Sequence, residues 1–177
     1  PRTGRRPARL PPRSRWPAHR SAAVAVADLL IVGCGLIGTS VGLALRQAGQ
    51  DVLLHDTDAM RVATAAHRGA GRAWDGTEPA KLVLIATPPA VVATVLKEAQ
   101  GSHLGQTYTH VTSVQSEVQR EVEALSCDLS VIVGGHPLAG RETSGPEAAS
   151  ADLFVGRPWA LCPSPSSAPA AVDAVIA

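Results

Sequence analysis

Aromatic residues are scarce in this chain of 177 residues, which contains three tryptophans, one tyrosine and one phenylalanine. Hydrophobic residues of all kinds still amount to 45%, so the core must be built from Ala, Val, Leu and Ile. The three cysteines, Cys34, Cys127 and Cys162, are far apart and follow no metal-binding or redox spacing. They suit a reducing compartment better than a disulfide framework. We therefore expect a cytoplasmic protein without a metal site.

The chain also lacks a hydrophobic run long enough to suggest a membrane-spanning segment. The apolar stretch 22–32 follows a basic leader and could be mistaken for a signal peptide. It continues directly into a glycine-rich motif, however, which places it as the first strand of a fold. The sequence has no internal repeat of fixed period. We expect no membrane partner.

Charge is unevenly distributed along the chain. Seven of the 16 basic residues are arginines within the first twenty positions, where no acidic residue occurs, so the remainder carries nine basic against 15 acidic residues. Residues 1–23 are rich in Pro and Arg and show no hydrophobic period, which predicts a disordered basic tail. A nucleic-acid-binding arm is the alternative. The tail has no aromatic interleaving beyond Trp16, so we expect no nucleic-acid partner.

Three glycines in a G-x-G-x-x-G arrangement form the strongest signal in the sequence. They follow the apolar run 28–32 and open a helix-like stretch, within a unit of the right length for a strand, a turn and a helix. Such a turn lets backbone N–H groups approach a pyrophosphate, which rests on the positive end of the following helix. The residues predicted to bind a dinucleotide at this turn are Gly33, Gly35, Leu36, Ile37 and Gly38.

Asp56 lies 23 residues after Gly33, at the end of a second apolar run, where a ribose-binding acid is expected. A carboxylate there accepts hydrogen bonds from the ribose hydroxyls and repels a 2′-phosphate, so NAD is favoured as the cofactor. Arg61 lies nearby and leaves NADP open. Alternatively, Asp56 caps the helix that follows, a role that Thr57 or Asp58 would also serve. We favour the ribose role.

Short apolar runs alternate with helix-like patterns over residues 24–165, which we assign to one dinucleotide-binding domain. Runs such as 82–86 are apolar without alternation, as expected for strands covered on both faces. This order predicts an α/β fold with a Rossmann-type, doubly wound parallel sheet. The predicted strands are 28–32, 51–55, 81–87, 107–112, 131–134 and 159–162, with a faint one at 72–74, and the predicted helices are 36–48, 58–68, 90–100 and 113–125.

The two ends of the sequence suggest a piece of a longer protein. The chain starts at Pro1 rather than Met and stops at Ala177, within an apolar stretch that begins at Pro169. We interpret residues 166–177 as the start of a truncated following helix. No segment after it is available to form a substrate domain, so we expect a fragment.

Further candidate residues follow the predicted strands at their carboxyl ends, where ligands of open parallel sheets bind. Thr87 and Pro88 lie at the carboxyl end of the strand 81–87, although this is also an ordinary strand-to-helix turn. The hydroxyl of Ser113 could bond a substrate oxygen or the nicotinamide, or it could cap a helix. His136 lies in a segment rich in Gly and Pro directly after a strand. It could accept a proton from an alcohol near neutral pH, or it could simply be solvated.

Together these motifs resemble the nucleotide-binding half of the prephenate/arogenate dehydrogenase family, from about Val26 to Cys162. The segment 134–145, GGHPLAGRETSG, is similar to the family signature G-x-H-P-[ML]-A-G-x-E-x-S-G. The resemblance implies prephenate dehydrogenase activity, the NAD-dependent oxidative decarboxylation of prephenate to 4-hydroxyphenylpyruvate in tyrosine biosynthesis. An arogenate dehydrogenase, a hydroxyacyl dehydrogenase and a non-catalytic NAD-binding module remain alternatives. The hydroxyacyl enzymes are not expected to carry this segment.

The resemblance also implies roles for individual residues. His136 polarises or deprotonates the ring hydroxyl, Ser113 bonds that hydroxyl or orients His136, and Glu142 helps to shape the pocket entrance. The family usually has Lys where this chain has Gln115, which puts a local ion pair in doubt. The family's C-terminal helical domain, which forms the dimer and supplies a substrate-binding arginine, is absent from this chain. We therefore expect the chain alone to bind NAD but to turn over poorly, and only the full-length protein to form a homodimer.

Overall fold

The computed structural model describes residues 26–177, and the predicted basic tail lies outside the described residues. The strands in this range form a single seven-stranded sheet. They are β1 (Ala27–Val32), β2 (Val52–His55), β3 (Arg72–Ala73), β4 (Ala80–Ile85), β5 (Gly105–His110), β6 (Ile132–Pro137) and β7 (Trp159–Pro163), in the spatial order β3-β2-β1-β4-β5-β6-β7.

Helices cover both faces of the sheet. They are α1 (Leu36–Gln47), α2 (Ala59–His67), α3 (Pro89–Gly101), α4 (Gln115–Ala124) and α5 (Pro169–Ile176), with short 3-10 turns at Leu129–Val131 and Pro146–Ala148. Alternate residues of β1 pack into two separate apolar clusters, one with α3 and α4 and the other with α1 and α2. The doubly wound α/β fold predicted from the sequence is therefore confirmed. Within residues 26–177, no helix is both long enough and apolar enough to cross a bilayer.

Aliphatic residues build the core, as the scarcity of aromatics predicts. Among the described residues, the largest fully buried side chains are all Leu, Ile or Val. The central strands are buried on both faces; Leu30 and Ile31 of β1 are neighbours in sequence, lie in opposite clusters and are both fully buried. This pattern follows from a parallel sheet covered by helices on each side.

The last strand departs from the predicted parallel sheet. The paired strands from β3 to β6 are all parallel, whereas β7 runs antiparallel to β6. The connection 138–158 contains no α-helix, whereas a parallel partner would need a crossover, usually a helix, that carries the chain back to the start of β6. Without that crossover, the chain returns directly alongside the strand it has just left.

Several predicted boundaries also shift, and two of these shifts concern the predicted catalytic residues. The strand predicted to end at Gly134 continues to Pro137, so His136 lies within β6 rather than after it. The recorded pairing with β5 ends at Gly134, but pairing with β7 continues, with His136 opposite Ala160. Helix α4 begins at Gln115 rather than at Ser113. The faint strand predicted at 72–74 is present as β3.

Candidate functional site

Gly33 and Gly38 are needed for the tight turn between β1 and α1. Gly33 has φ of +108°, a conformation that residues with a Cβ rarely adopt, and a Cβ there would lie 2.5 Å from the carbonyl oxygen of Ala86. A Cβ on Gly38 would clash with the carbonyl oxygen of Gly33. Both glycines are therefore explained by packing within the fold.

Gly35 differs from these two glycines because the fold does not require it. Its φ is −81°, which any residue can adopt, and a Cβ there would meet no atom of residues 26–177 within 4 Å. Within the described residues, no side chain caps the amino end of α1, and its first turn contains no acid. The first N–H groups of the helix are thus available to an anionic ligand, which could approach closely because residue 35 has no side chain.

A cavity of about 810 Å³ opens in front of this turn, at the carboxyl ends of β1, β2, β4 and β5. β1 lies between β2 and β4, so the order of strands along the chain reverses here. In open α/β sheets this reversal is the usual ligand site. Gly38 lies beneath the turn and does not line the cavity. The predicted site residues that do are Gly33, Gly35, Leu36, Ile37, Asp56, Thr87, Pro88 and Ser113.

Asp56 joins the end of β2 to the glycine turn. Its Oδ2 accepts a hydrogen bond of 2.7 Å from the backbone N–H of Cys34, and its Oδ1 accepts one of 2.9 Å from the N–H of Asp58. The cap of α2 is Asp58, whose Oδ1 accepts from the N–H of Met60. The alternative role of Asp56 as the helix cap is therefore wrong. A carboxylate has about four acceptor positions, so Asp56 retains capacity for a ligand hydroxyl.

The thiol of Cys34 is not suited to nucleophilic chemistry. Burial, reinforced by the nearby Asp56 carboxylate, raises the pKa of Cys34 to about 12. Its Sγ contacts the carbonyl oxygen of His55 at 3.7 Å. Because the reactive form of cysteine is the thiolate, this residue is part of the turn and not a reagent.

Thr87 carries a buried hydroxyl that is not satisfied by its surroundings. Its Oγ1 has no hydrogen-bond partner within the described part of the chain, although the residue lines the cavity. Buried polar atoms are nearly always partnered in native proteins, so an orphan of this kind is consistent with a ligand that supplies the missing bond. Together with the open space at Gly35, this hydroxyl shows that the residues present fit a dinucleotide.

The structure brings Ser113 and His136 to the same edge of the sheet. In the parallel register of β5 and β6, His110 pairs with Gly134, so both candidates lie beyond this pair toward the carboxyl ends. Ser113 is exposed and lines the cavity, and the cap position of α4 is Val114. The half-buried His136 does not line the cavity.

Glu142 is set apart from these residues. It is exposed, lies in the connection after β6 and does not line the cavity. The structure therefore groups the predicted cofactor residues with Ser113, places His136 on the neighbouring strand, and leaves Glu142 outside this group.

Gln115 links the segments that carry the two predicted catalytic residues. Its Nε2 donates to the carbonyl oxygen of Thr112 at 2.6 Å and to that of Gly135 at 2.9 Å. A Cβ on Gly134 would clash with the Oε1 of Gln115, so this glycine leaves room for the amide. Sequence reasoning missed the bridge. The signal was an uncharged residue where the family usually has Lys, because a primary amide supplies two donors without a charge.

His110 lies behind this bridge and is 3% exposed. Burial lowers its pKa to about 4, so the ring is neutral at pH 7. Within residues 26–177, its Nδ1 has no hydrogen-bond partner. Its Nε2 is 3.2 Å from the place that a Cβ on Gly134 would occupy. The ring is therefore a packing residue under the site rather than a candidate acid or base.

Residues 41–177 match the family described as "Prephenate dehydrogenase, nucleotide-binding domain". The chain is also 46% identical over 144 residues to a probable prephenate dehydrogenase, NovF, of Streptomyces niveus, over 81% of this chain and 40% of that protein. The chain belongs to the prephenate dehydrogenase family. The family resemblance predicted from the sequence is thus confirmed. This family member spans about 40% of the length of that curated relative.

Two solved structures related to the family have the same fold. The Synechocystis arogenate dehydrogenase gives a TM-score of 0.74 at 26% identity, over 84% of this chain and 54% of that one. Prephenate dehydrogenase from A. aeolicus, in complex with hydroxyphenyl propionate and NAD+, gives 0.73 at 23% identity, over 88% and 57%. The similarity to the A. aeolicus structure, at 23% identity, establishes the fold alone.

Proposed function

We propose that this chain is the NAD-binding part of a cytoplasmic dehydrogenase that converts prephenate to 4-hydroxyphenylpyruvate by oxidative decarboxylation, in tyrosine biosynthesis. The observation that carries the proposal is the cavity where the strand order reverses, lined by Gly35, Asp56, Thr87 and Ser113 together. Membership of the prephenate dehydrogenase family supports the substrate class. The bound partner is thus a small molecule, and NAD supplies the hydride acceptor when it is present.

The chain's own residues would divide the binding of the cofactor among three places. The amino end of α1 and the open backbone at Gly35 suit the pyrophosphate, because uncapped N–H groups and the helix dipole both favour an anion. Asp56 is held by two backbone N–H groups and would accept hydrogen bonds from ribose hydroxyls. Thr87 and Pro88 border the cavity after β4, and the cofactor would supply the hydrogen bond that the buried hydroxyl of Thr87 lacks among the described residues.

We assign proton transfer to His136 and Ser113. His136 would take the ring hydroxyl proton as the carbon beneath it loses hydride, and return it to the oxygen once CO2 has left and the ring is aromatic. Ser113 would bond the same hydroxyl or orient the imidazole, and Gln115 already holds the neighbouring backbones together. Glu142 would shape the entrance from the connection after β6. Dimer formation and full turnover are assigned to the full-length protein.

Arogenate is the alternative substrate, because a solved structure with 26% identity and a TM-score of 0.74 is an arogenate dehydrogenase. The two substrates differ at a side-chain carbonyl or amine. Steady-state rates of the full-length protein with each substrate, with NAD+ and with NADP+, distinguish them.

The 177-residue chain should bind NAD+ in isothermal titration calorimetry but oxidise prephenate poorly on its own. In the full-length protein, His136→Asn should keep cofactor affinity and lower kcat by about 10²- to 10⁴-fold, the range for loss of a general base. Failure of the wild-type chain to bind NAD+ would contradict the cofactor assignment. An unchanged kcat in His136→Asn would contradict the assignment of the base.

A further inference from the structure

We infer that Asp58 is a specificity-determining residue of the dinucleotide site, which disfavours a 2′-phosphorylated cofactor by neutralising Arg61. The inference rests on the proposed function. It concerns the end of the cavity where α2 begins, and it draws on the ion pair between these two side chains.

Arg61 is placed where it could meet the adenosine end of a dinucleotide. It lies in the first turn of α2 and lines the same cavity as Asp56 and Asp58. Its Nε is 3.6 Å from the Oδ2 of Asp58, and the two side chains are 53% and 52% exposed. An exposed pair of this length is weak, so the guanidinium could exchange Asp58 for a stronger anionic partner.

Asp58 is fixed in position by the backbone. Its Oδ1 accepts the N–H of Met60 at 2.9 Å and so caps α2, which leaves Oδ2 facing Arg61. Asp56 is held equally firmly, by the N–H groups of Cys34 and Asp58 itself. Two anchored carboxylates and one guanidinium therefore line this end of the cavity, which gives it a net formal charge of −1.

The charges of these two carboxylates and of the guanidinium determine which cofactor the site accepts. A 2′-phosphate adds a charge of about −1.5 to −2 and is repelled by both carboxylates. An arginine fork, by contrast, is well shaped to hold a phosphate through two parallel hydrogen bonds. The chain thus carries the acid expected of a site for NAD and the arginine expected of a site for NADP. The charge of Asp58 decides between them.

The test removes this charge but keeps the helix cap. Asn and Ser cap helices about as well as Asp, so Asp58→Asn and Asp58→Ser should leave α2 intact, and thermal melting checks this. Removing one carboxylate charge from a solvent-exposed site that would hold a phosphate predicts that the ratio Kd(NADP+)/Kd(NAD+) falls roughly three- to tenfold. Isothermal titration calorimetry of the 177-residue chain measures the ratio. The ratio of the Kd of adenosine 2′,5′-bisphosphate to that of 5′-AMP gives a second measurement, which is limited to this end of the cavity.

Asp128→Asn is the matched control, since Asp128 also caps a turn, through the N–H of Ser130, and does not line the cavity. Its ratio should stay at the wild-type value. Adding Arg61→Ala to Asp58→Asn should remove the gain in relative affinity for NADP+, because the 2′-phosphate would lose the guanidinium as its partner.

Each remaining outcome decides a separate point. If the wild-type chain binds NAD+ and both Asp58 variants keep the wild-type ratio, the inference is overturned and the proposed function stands. If the gain survives Arg61→Ala, the assignment of Arg61 as phosphate partner is overturned. If the wild-type chain binds neither cofactor, the proposed function fails and the inference fails with it.

Discussion

Replacing Gly35 with alanine separates the glycine that a ligand needs from the glycines that the fold needs. Among the described residues, a Cβ at Gly35 would meet no atom within 4 Å, and the backbone there already has a φ open to any residue. A Cβ at Gly38 would clash with the Gly33 carbonyl and lie 3.0 Å from the side chain of Ile31. Gly35→Ala should therefore weaken binding at nearly unchanged stability, whereas Gly38→Ala should lower the stability.

The magnitudes follow from these contacts. At position 35, alanine reduces the entropy of the unfolded chain, which stabilises by about 0.4–1 kcal/mol, and it is a poorer helix cap than glycine by up to roughly 1 kcal/mol. These effects nearly cancel. At position 38, overpacking against backbone that cannot rotate away costs about 3 kcal/mol, and better helix propensity returns only about 1 kcal/mol. Gly38→Ala should thus lose about 2 kcal/mol of stability.

Urea denaturation and calorimetry with NAD+ measure both effects on the same proteins. Gly35→Ala should unfold at nearly the wild-type urea midpoint and bind NAD+ at least about tenfold more weakly, a loss of about 1.4 kcal/mol. The reason is that its methyl group occupies the space a pyrophosphate would need. A Gly35→Ala variant that folds normally and binds NAD+ as tightly as wild type would refute the assignment of this turn to the phosphates. A Gly38→Ala variant of unchanged stability would refute the packing argument.

Three further predictions concern the residues around the site. Gln115→Leu leaves two backbone carbonyls without a donor and should cost about 1–3 kcal/mol in urea denaturation, whereas Gln115→Lys should recover most of it; equal stability of Leu and Gln would contradict the bridge. The pKa of His110 is about 4 in the folded protein and about 6.5 in the unfolded chain. The contribution of the neutral ring to the free energy of unfolding is therefore complete above pH 6.5. This contribution, roughly 3 kcal/mol, is lost as the pH falls toward 4. His110→Gln should therefore flatten the dependence of the free energy of unfolding on pH between 4 and 6.5. A thiol reagent at neutral pH should leave the buried Cys34 unmodified, since its pKa is about 12, and react first with the half-buried Cys162; rapid modification of Cys34 in the native protein would count against its burial.

Local patterns in the sequence were enough to predict the fold class and the glycine turn. The apolar runs, the spacing of the three glycines and the acid at the end of the second run are each contained in a few residues. They sufficed because a strand, a tight turn and a helix are local structures. The assignments of Asp56 to ribose and of His136 and Ser113 to catalysis stay predictions. Their surroundings are now described, but their chemistry awaits the experiments above.

The features that the sequence analysis missed depend on contacts between distant segments. β6 runs on past Gly134 because β7 pairs with it, and nothing within 131–137 carries that information. Gln115 reaches the carbonyl of Gly135, twenty positions away, only because β5 and β6 are adjacent in the sheet. The ion pair of Asp58 with Arg61 lies within one turn and was in principle readable. That this pair could affect the choice of cofactor became evident only from the cavity that both side chains line.

The close approach of the Gln115 amide to Gly134 has an evolutionary consequence. A Cβ at position 134 would clash with the Oε1 of Gln115, so a residue larger than Gly there would force the amide to move and would disturb the bridge. Among related sequences, residues larger than Gly at 134 should therefore accompany a side chain shorter than Gln at 115. The bridge beneath the site would then be inherited as a pair.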